Sequence, residues 1–424
     1  MAFVLVVNPF IPGQKKKDKV MNMGVLAVAS TLAQEYDVQI VDYYANPDIP
    51  ISTHISYDTK VIAFSCSGAE SYRESIKQAR IIKHEFPSIC ILMGGQHISG
   101  LFQSNMLPLY AETVDCYIPG PCEKTLLDVC GKIRRGETLD SVMLGEDLGK
   151  IGFMNYELYP HWQEMIPCVE IGRGCNHNCN FCNSQNMRKI SKYICRGVED
   201  VIQETRRIIS LYGSKTDIFL FGSIFGENTI QTRTVLEELK KIAPEAQYTF
   251  NLRSDSRWEK YIDAMKELHI RSVFLGIESA SIKILELMNK TKNPYNYLER
   301  TQSIIKVFGE LNIPFFSSFI LGYWGETEQT IAETFTFIKN NKDYFKAIGV
   351  NQYYVYPGST DYDRISELAK VYRCKLNYLS DIQSYSIEKQ GEITSSEIQN
   401  YCNILENQYN DQEYFEKVRS WRFM

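Results

Sequence analysis

Short apolar runs alternating with helix-length stretches, five times and then six times more after a break, restrict this chain more than any other feature of its sequence. The first series is FVLVV (3–7), VQIVDYY (38–44), VIAFSC (61–66), CILMGG (90–95) and VDCYI (114–118), with helical patterns such as 22–35, 70–85 and 122–133 between and after them. A β-α-β-α order implies a parallel sheet covered on both faces. Residues 1–140 therefore read as one doubly wound, Rossmann-like domain. In such sheets a ligand sits beyond the carboxyl ends of the strands at the switch point, here the loops 8–19, 65–69 and 94–100.

A stretch with scattered glycine and charge, ending in YELYPHW, reads as a linker over 141–162. The second series follows: CVEIG (168–172), IFLFG (218–222), YTFNLR (248–253), SVFLGI (272–277), FFSSFILG (315–322) and GVNQYYVY (349–356). Helical spacing fills the gaps, as with Val235, Leu236, Leu239 and Ile242, or Ile331, Phe335 and Ile338. Six β-α units over 163–360 predict a partial (β/α)6 barrel of the TIM type, shorter than a closed one of eight units. The remainder, 361–424, reads as a small helical and aromatic C-terminal cap with a break near 375–392.

The 424 residues carry 46 basic and 51 acidic side chains, a net charge of −5, which gives no general attraction to nucleic acid or to an anionic membrane. A small-molecule substrate is the expectation that follows. The chain has no run of about 18 apolar residues, and its start MAFVLVVNPFIPGQKKK places apolar residues before basic ones, the reverse of a secretory signal. The expected location is cytoplasmic, where most of the twelve cysteines are free thiols. Cys66, Cys90, Cys116 and Cys130 fall inside strands or helices and read as small apolar packing residues.

Cys175, Cys179 and Cys182 need another explanation. IGRGCNHNCNFCN sets them as C-x-x-x-C-x-x-C directly after the first strand of the second series, and Gly172 and Gly174 let the backbone come close to a metal centre. Zinc usually takes a fourth ligand, and His177, lying between the cysteines, does not match common finger spacing. A 4Fe-4S cluster on three cysteines leaves one iron open to a small molecule. On the residues alone the cluster, structural zinc and chance clustering all stand.

The loop, with Phe181 directly before the last cysteine, resembles the signature of radical S-adenosylmethionine (SAM) enzymes. GIES (276–279), LGYWGET (321–327) and YPGSTDY (356–362) are similar to segments of the cobalamin (B12)-binding subgroup, as are GGQH (94–97) and PGPCEKT (119–125). The resemblance covers roughly residues 1–362. It implies a cluster on Cys175, Cys179 and Cys182 that chelates SAM and cleaves it to a carbon radical. It implies SAM contacts from Phe181, Gly222, Ser223, Arg253 and Glu278. For Arg253 and Glu278 the alternative is a structural ion pair, and the segment GSIFGEN (222–228) lacks the paired aspartates common in the subgroup.

In the first domain the loop NPFIPGQKKKDK (8–19) lacks the histidine that ligates cobalt in methionine synthase-type domains, but relatives hold the corrin without it. Ser65, Ser67, Gly94, Gly95 and Gln96 are the candidates to line a cobalamin groove, against a scaffold domain whose groove stays empty. His97 reads as a polar loop or cap residue and the KKKDK run (15–19) as a solvated loop; of Tyr353, Tyr354 and Tyr356, which alternate in direction, some face the barrel interior, with a substrate contact as the alternative to packing. The implied activity is cobalamin-dependent methylation of a small metabolite or natural-product precursor, with a flavodoxin or ferredoxin as electron donor. The alternatives are a cobalamin-free radical SAM enzyme, performing rearrangement, cyclisation or 3-amino-3-carboxypropyl transfer, and a sensor whose cluster does not turn over. Cys374 and Cys402 are too far apart to imply a second cluster.

Overall fold

Strand β1 (Val4–Asn8) is apolar at every position but the last and buried at all five, the pattern of a strand with helices on both faces. In the computed structural model, which describes residues 2–9, 20–46, 49–108, 112–184, 193–222 and 224–419, it lies second in a parallel sheet. The order is β2-β1-β3-β4-β5, with β2 Val38–Asp42, β3 Val61–Ser65, β4 Cys90–Gly94 and β5 Cys116–Ile118. Val4 pairs with Val38 on one side and Val61 on the other, so the sheet winds outward in both directions from β1 and β3. Helices α1 (Met23–Leu32), α2 (Ala69–Glu85), α3 (Gln96–Gln103) and α4 (Glu123–Arg134) complete this unit. The KKKDK run lies outside the described residues.

The stretch read as a linker has no long helix, yet it is tightly held, because it carries two fully buried tyrosines. The Tyr159 hydroxyl donates to Asp42 at 2.7 Å and accepts from the Asn22 backbone N–H at 2.9 Å. The Tyr156 hydroxyl lies 2.8 Å from the Cys168 carbonyl and 3.0 Å from the Glu204 carboxylate. A buried phenol needs such partners, and here they come from both units. Val4, Val6, Met21, Tyr156, Tyr159, Cys168 and Val169 belong to one continuous apolar core.

The second sheet has six parallel strands that neighbour one another in chain order: β6 (Cys168–Glu170), β9 (Asp217–Phe221), β10 (Gln247–Arg253), β11 (His269–Glu278), β12 (Phe315–Leu321) and β13 (Ala347–Gln352). Helices α5 (Val198–Tyr212), α6 (Thr229–Ile242), α7 (Pro294–Glu310) and α8 (Glu328–Asn340) lie between its strands, giving the open barrel. Two-residue strands β7 (Gly172–Arg173) and β8 (Ile194–Cys195) pair as an antiparallel ribbon around the cysteine loop.

The C-terminal region departs from an all-helical cap. The run GVNQYYVY divides after Gln352, and β14 (Tyr354–Val355) joins an antiparallel sheet with β15 (Cys374–Leu379), β16 (Ser384–Gln390) and β17 (Ile393–Thr394). The break near 375–392 is this sheet: CKLNYL alternates apolar and polar residues with the period of a strand. Helices α9 (Ser395–Tyr409) and α10 (Gln412–Arg419) follow. The barrel edge β13 is covered there, the Ile348 and Val350 N–H groups donating to Asn410 at 2.6 Å and Glu406 at 2.8 Å.

The carboxyl ends of the two large sheets meet. Gly100 of α3 packs so closely that a Cβ there would stand 2.4 Å from the Pro357 carbonyl oxygen. Ser104 bonds to Asp363 at 3.0 Å, and Arg73 reaches Asp381 at 3.1 Å. Among the described residues no helix is long and apolar enough to cross a membrane.

Candidate functional site

The cysteine loop starts where β6 ends. Gly172 is glycine because a Cβ would stand 2.8 Å from the Ile194 carbonyl across the ribbon, and Gly174 takes φ +80°, a conformation open to glycine. Arg173 grips Glu170 through two bonds of 2.6 and 3.0 Å and also pairs with Glu123 of α4. Further along, the Asn180 backbone N–H donates to the Met288 carbonyl at 2.8 Å, while its own carbonyl accepts from the Asp361 N–H at 3.2 Å. The Phe181 ring is half-buried against the cluster containing Met288, Tyr323, Trp324 and Tyr353.

Each of the three sulfurs has a donor. The His177 N–H points at Cys175 Sγ at 3.4 Å, Arg253 Nη1 lies 3.6 Å from Cys179 Sγ, and Ser184 offers both its hydroxyl and its N–H to Cys182. Burial pushes the Cys175 and Cys182 thiols up, and the charge of the neighbouring cysteine sulfurs adds to this. Among the described residues no three His, Cys, Asp or Glu side chains gather tightly enough to hold a single metal ion; a multi-iron cluster spaces its ligands more widely. His177 is taken by another partner, its Nε2 lying 2.6 Å from Glu227.

A buried charge network lies beside Cys179. Arg253, at the end of β10, donates to Asp255 at 2.8 and 3.0 Å and to the Lys290 carbonyl at 2.6 Å. Glu278, at the end of β11, has φ +68° and pairs with Lys290 at 2.9 Å, and its second oxygen accepts from Ser318 at 3.2 Å. Burial opposes the Lys290 charge, but Glu278 and the Tyr297 hydroxyl hold its pKa above the ordinary lysine value. Burial likewise opposes the Asp255 charge, and Arg253 overcomes it, holding that carboxyl below its usual range. Gly222 follows β9 so near the loop that a Cβ would stand 2.9 Å from the Ile171 side chain. Ser223 lies outside the described residues. Lys290, Asp255 and Glu227 carried no motif of their own in the sequence. Glu227 lines a cleft of about 410 Å³, open to solvent, with Gly172, Tyr193, Cys195 and Gln231.

In the first unit Ser67 is exposed and Ser65 half-buried at the end of β3, directly before the N-terminus of α2. A Cβ on Gly95 (φ +102°) would stand 2.7 Å from the Cys66 carbonyl oxygen, and one on Gly94 would stand 3.2 Å from that of Ile118. Close backbone crossing, with no bound molecule, is enough to require Gly95. Gln96 turns away from the lip of the groove: its Nε2 donates to Asn183 at 2.7 Å and lies 3.2 Å from Ser184 Oγ, both in the cysteine loop. His97, expected in a loop or at a cap, is buried in the first turn of α3 against Tyr72, and burial lowers its pKa to about 4. Tyr353 is buried, its hydroxyl bonded to Asp361 at 2.7 Å, whereas Tyr356 is exposed.

Residues 169–338 match the radical SAM superfamily, and residues 14–129 match the B12 binding domain. The chain thus carries a B12-binding domain followed by a radical SAM domain. The chain is 25% identical over 343 residues to an uncharacterized methyltransferase of Pyrococcus horikoshii, covering 75% of this chain and 72% of that one. It is 22% identical over 362 residues to the anaerobic magnesium-protoporphyrin IX monomethyl ester cyclase of Rubrivivax gelatinosus, covering 77% of this chain and 62% of that one. Its fold is similar to that of the radical SAM methyltransferase TsrM from Kitasatospora setae, solved with tryptophan substrate and a SAM analogue, at TM-score 0.68, 14% identity and coverage of 99% and 88%. The cobalamin-dependent SAM radical enzyme OxsB, solved with aqua-cobalamin, matches at TM-score 0.68 and 14% identity over 98% of this chain and 67% of that one.

The radical SAM barrel has residues that fit a 4Fe-4S cluster and SAM: three thiols on one short loop, each with a hydrogen-bond donor, beside a carboxylate that retains accepting capacity. The B12-binding domain places serine hydroxyls and the N-terminus of α2 at the carboxyl end of β3, a donor set suited to a polar nucleotide tail.

Proposed function

We propose that this radical SAM protein is a cobalamin-dependent methyltransferase acting on an unactivated carbon of a small metabolite or natural-product precursor. The observation that carries this reading is the meeting of the two sheets' carboxyl ends at Gly100 and Pro357, which makes groups held by the two units neighbours. The methyltransferase relative and the two cobalamin-type fold neighbours support it.

In this reading residues 1–140 hold the corrin, 141–162 connect, 163–360 form the catalytic barrel and 361–424 cap it. Cys175, Cys179 and Cys182 hold the cluster, and Phe181 anchors the loop on its apolar bed. Gly222 and Ser223 present backbone groups to the SAM amino group, and the free lone pairs of Glu278 accept from its ribose hydroxyls. Arg253 fixes the Cys179 sulfur while Asp255 and the Lys290 carbonyl fix Arg253. Ser65 and Ser67 bind the corrin tail, and Gly94 and Gly95 shape the lip beside it. When bound, the cluster supplies the electron that cleaves SAM and the corrin carries the methyl group. A flavodoxin or ferredoxin in the cytoplasm delivers that electron.

The test is anaerobic reconstitution with iron, sulfide, SAM and hydroxocobalamin. Corrin absorbance co-eluting with the protein, with S-adenosylhomocysteine and 5′-deoxyadenosine as products, is the expected result. A chain that retains no corrin and releases only 5′-deoxyadenosine or methylthioadenosine overturns the methyl-transfer reading.

A further inference from the structure

We infer that Gln96 and Glu123 of the B12-binding domain are positioning residues for the cluster: they hold the two ends of the cysteine loop, and Gln96 acts through Ser184 on the Cys182 sulfur. The inference rests on the reading that Cys175, Cys179 and Cys182 carry a 4Fe-4S cluster.

At the first end, Arg173 stands two residues before Cys175 between two carboxylates, Glu170 of its own barrel and Glu123 from the other domain. Both carboxylates are buried, at 4% and 7% exposure. Removing one partner of a buried ion pair is costly, unlike removing an exposed one. Glu123 therefore fixes the height at which the chain enters the loop.

At the other end, the two amide hydrogens of Gln96 have two acceptors, Asn183 Oδ1 at 2.7 Å and Ser184 Oγ at 3.2 Å. Ser184 passes its own hydrogen to the Cys182 sulfur, alongside its N–H. A hydroxyl that accepts one hydrogen bond donates a stronger one, so the incoming bond from Gln96 strengthens the outgoing bond to sulfur. Hydrogen bonds to cluster sulfurs stabilise the more negative, reduced state and raise the reduction potential. The B12-binding domain thus adjusts how readily the cluster takes an electron, through side chains separated by 87 and 88 positions in sequence. Neither bond involves the lip serines.

The test uses the full chain, reconstituted anaerobically, with the midpoint potential read by EPR-monitored titration and the fold checked by thermal unfolding. Gln96→Ala and Ser184→Ala are each expected to move the midpoint to a more negative value, and the double variant to move it no further than Ser184→Ala alone. Glu123→Gln is expected to release iron to a chelator several-fold faster than the unsubstituted protein. Where Gln96→Ala does not fold, Gln96→Glu keeps the size but loses the donor, and it is expected to shift the midpoint in the same direction. An unshifted midpoint in the folded Gln96 variant, or additive shifts in the double variant, overturns the inference and leaves the proposed function standing. An unsubstituted chain without a SAM-responsive 4Fe-4S signal overturns both.

Discussion

Arg253 Nη1 lies 3.6 Å from Cys179 Sγ, tying the end of the third barrel strand to the central cysteine of the loop. The rest of the guanidinium is clamped by Asp255 and the Lys290 carbonyl. Arg253→Ala leaves a mostly buried carboxylate and a buried carbonyl short of their donor, at a cost of about 3 kcal/mol. Arg253→Lys keeps the charge but not the planar fork, so it is expected to restore most of the stability and not the spectrum of the cluster. Urea unfolding separates the first effect and EPR the second; an alanine variant unchanged in both would count against the assignment.

Cys179 is itself buried, and alanine fits its space with the loss of one sulfur. Cys179→Ala is expected to lose its iron while unfolding within about 1 kcal/mol of the unsubstituted protein, in the range of a mild core truncation. Iron analysis together with the melting curve checks this. An active, cluster-free variant would exclude radical SAM chemistry.

Tyr323 and Tyr353 both donate to one oxygen, Asp361 Oδ2, at 2.6 and 2.7 Å. Burial raises the Asp361 pKa, and the two phenols oppose the rise. An amide oxygen can accept the same two bonds, so Asp361→Asn is expected to cost less than about 1 kcal/mol, whereas Asp361→Ala strands two buried hydroxyls and costs about 3 kcal/mol. Equal losses in the two variants, measured by urea unfolding, would show that the charge matters more than the hydrogen bonds.

Glu326 is buried under Thr330 and the Gly322 N–H, and burial pushes its pKa up to about 7. The folded state therefore binds a proton more tightly than the unfolded chain. The stability this contributes is complete below the unfolded pKa and is lost as pH rises toward 7, by up to about 3 kcal/mol. Glu326→Gln removes this titration. Its melting temperature is expected to fall less than that of the unsubstituted protein between pH 5 and pH 8, and parallel curves would place the proton elsewhere.

Gly100 and Gly152 make a paired test of the domain contact. In an isolated helix Gly→Ala gains about 1 kcal/mol, but a Cβ on Gly100 meets the Pro357 carbonyl at 2.4 Å, so Gly100→Ala is expected to cost about 2 kcal/mol. Gly152 has nothing within 4 Å of a Cβ, and its substitution is expected to stay within about 0.5 kcal/mol. Differential scanning calorimetry of the two variants is the measurement.

Strand positions were legible to within a few residues, because buried parallel strands are short apolar runs and their helices repeat at 3.6 residues. The cysteine loop was legible because its three cysteines lie within eight positions of one another, Cys175 to Cys182. The C-terminal sheet was harder to see: CKLNYL is short, polar and half exposed, and its partner strand was not distinguishable from loop by composition. The packed tyrosines of 141–162 were missed for a related reason, since their acceptors, Asp42, Cys168 and Glu204, belong to other elements.

The sequence by itself determined that there are two parallel sheets and singled out the cysteine loop, since periodicity and cysteine spacing are local properties of the chain. Only the tertiary structure decided that Glu278 is held by Lys290, that Arg253 reaches Cys179, and that Gln96 faces the cysteine loop rather than the lip of its own groove. These are contacts between side chains brought together where the carboxyl ends of two sheets meet. A charge or an amide in a sequence states what it can bond to, and the packing of the sheets decides which partner is within reach.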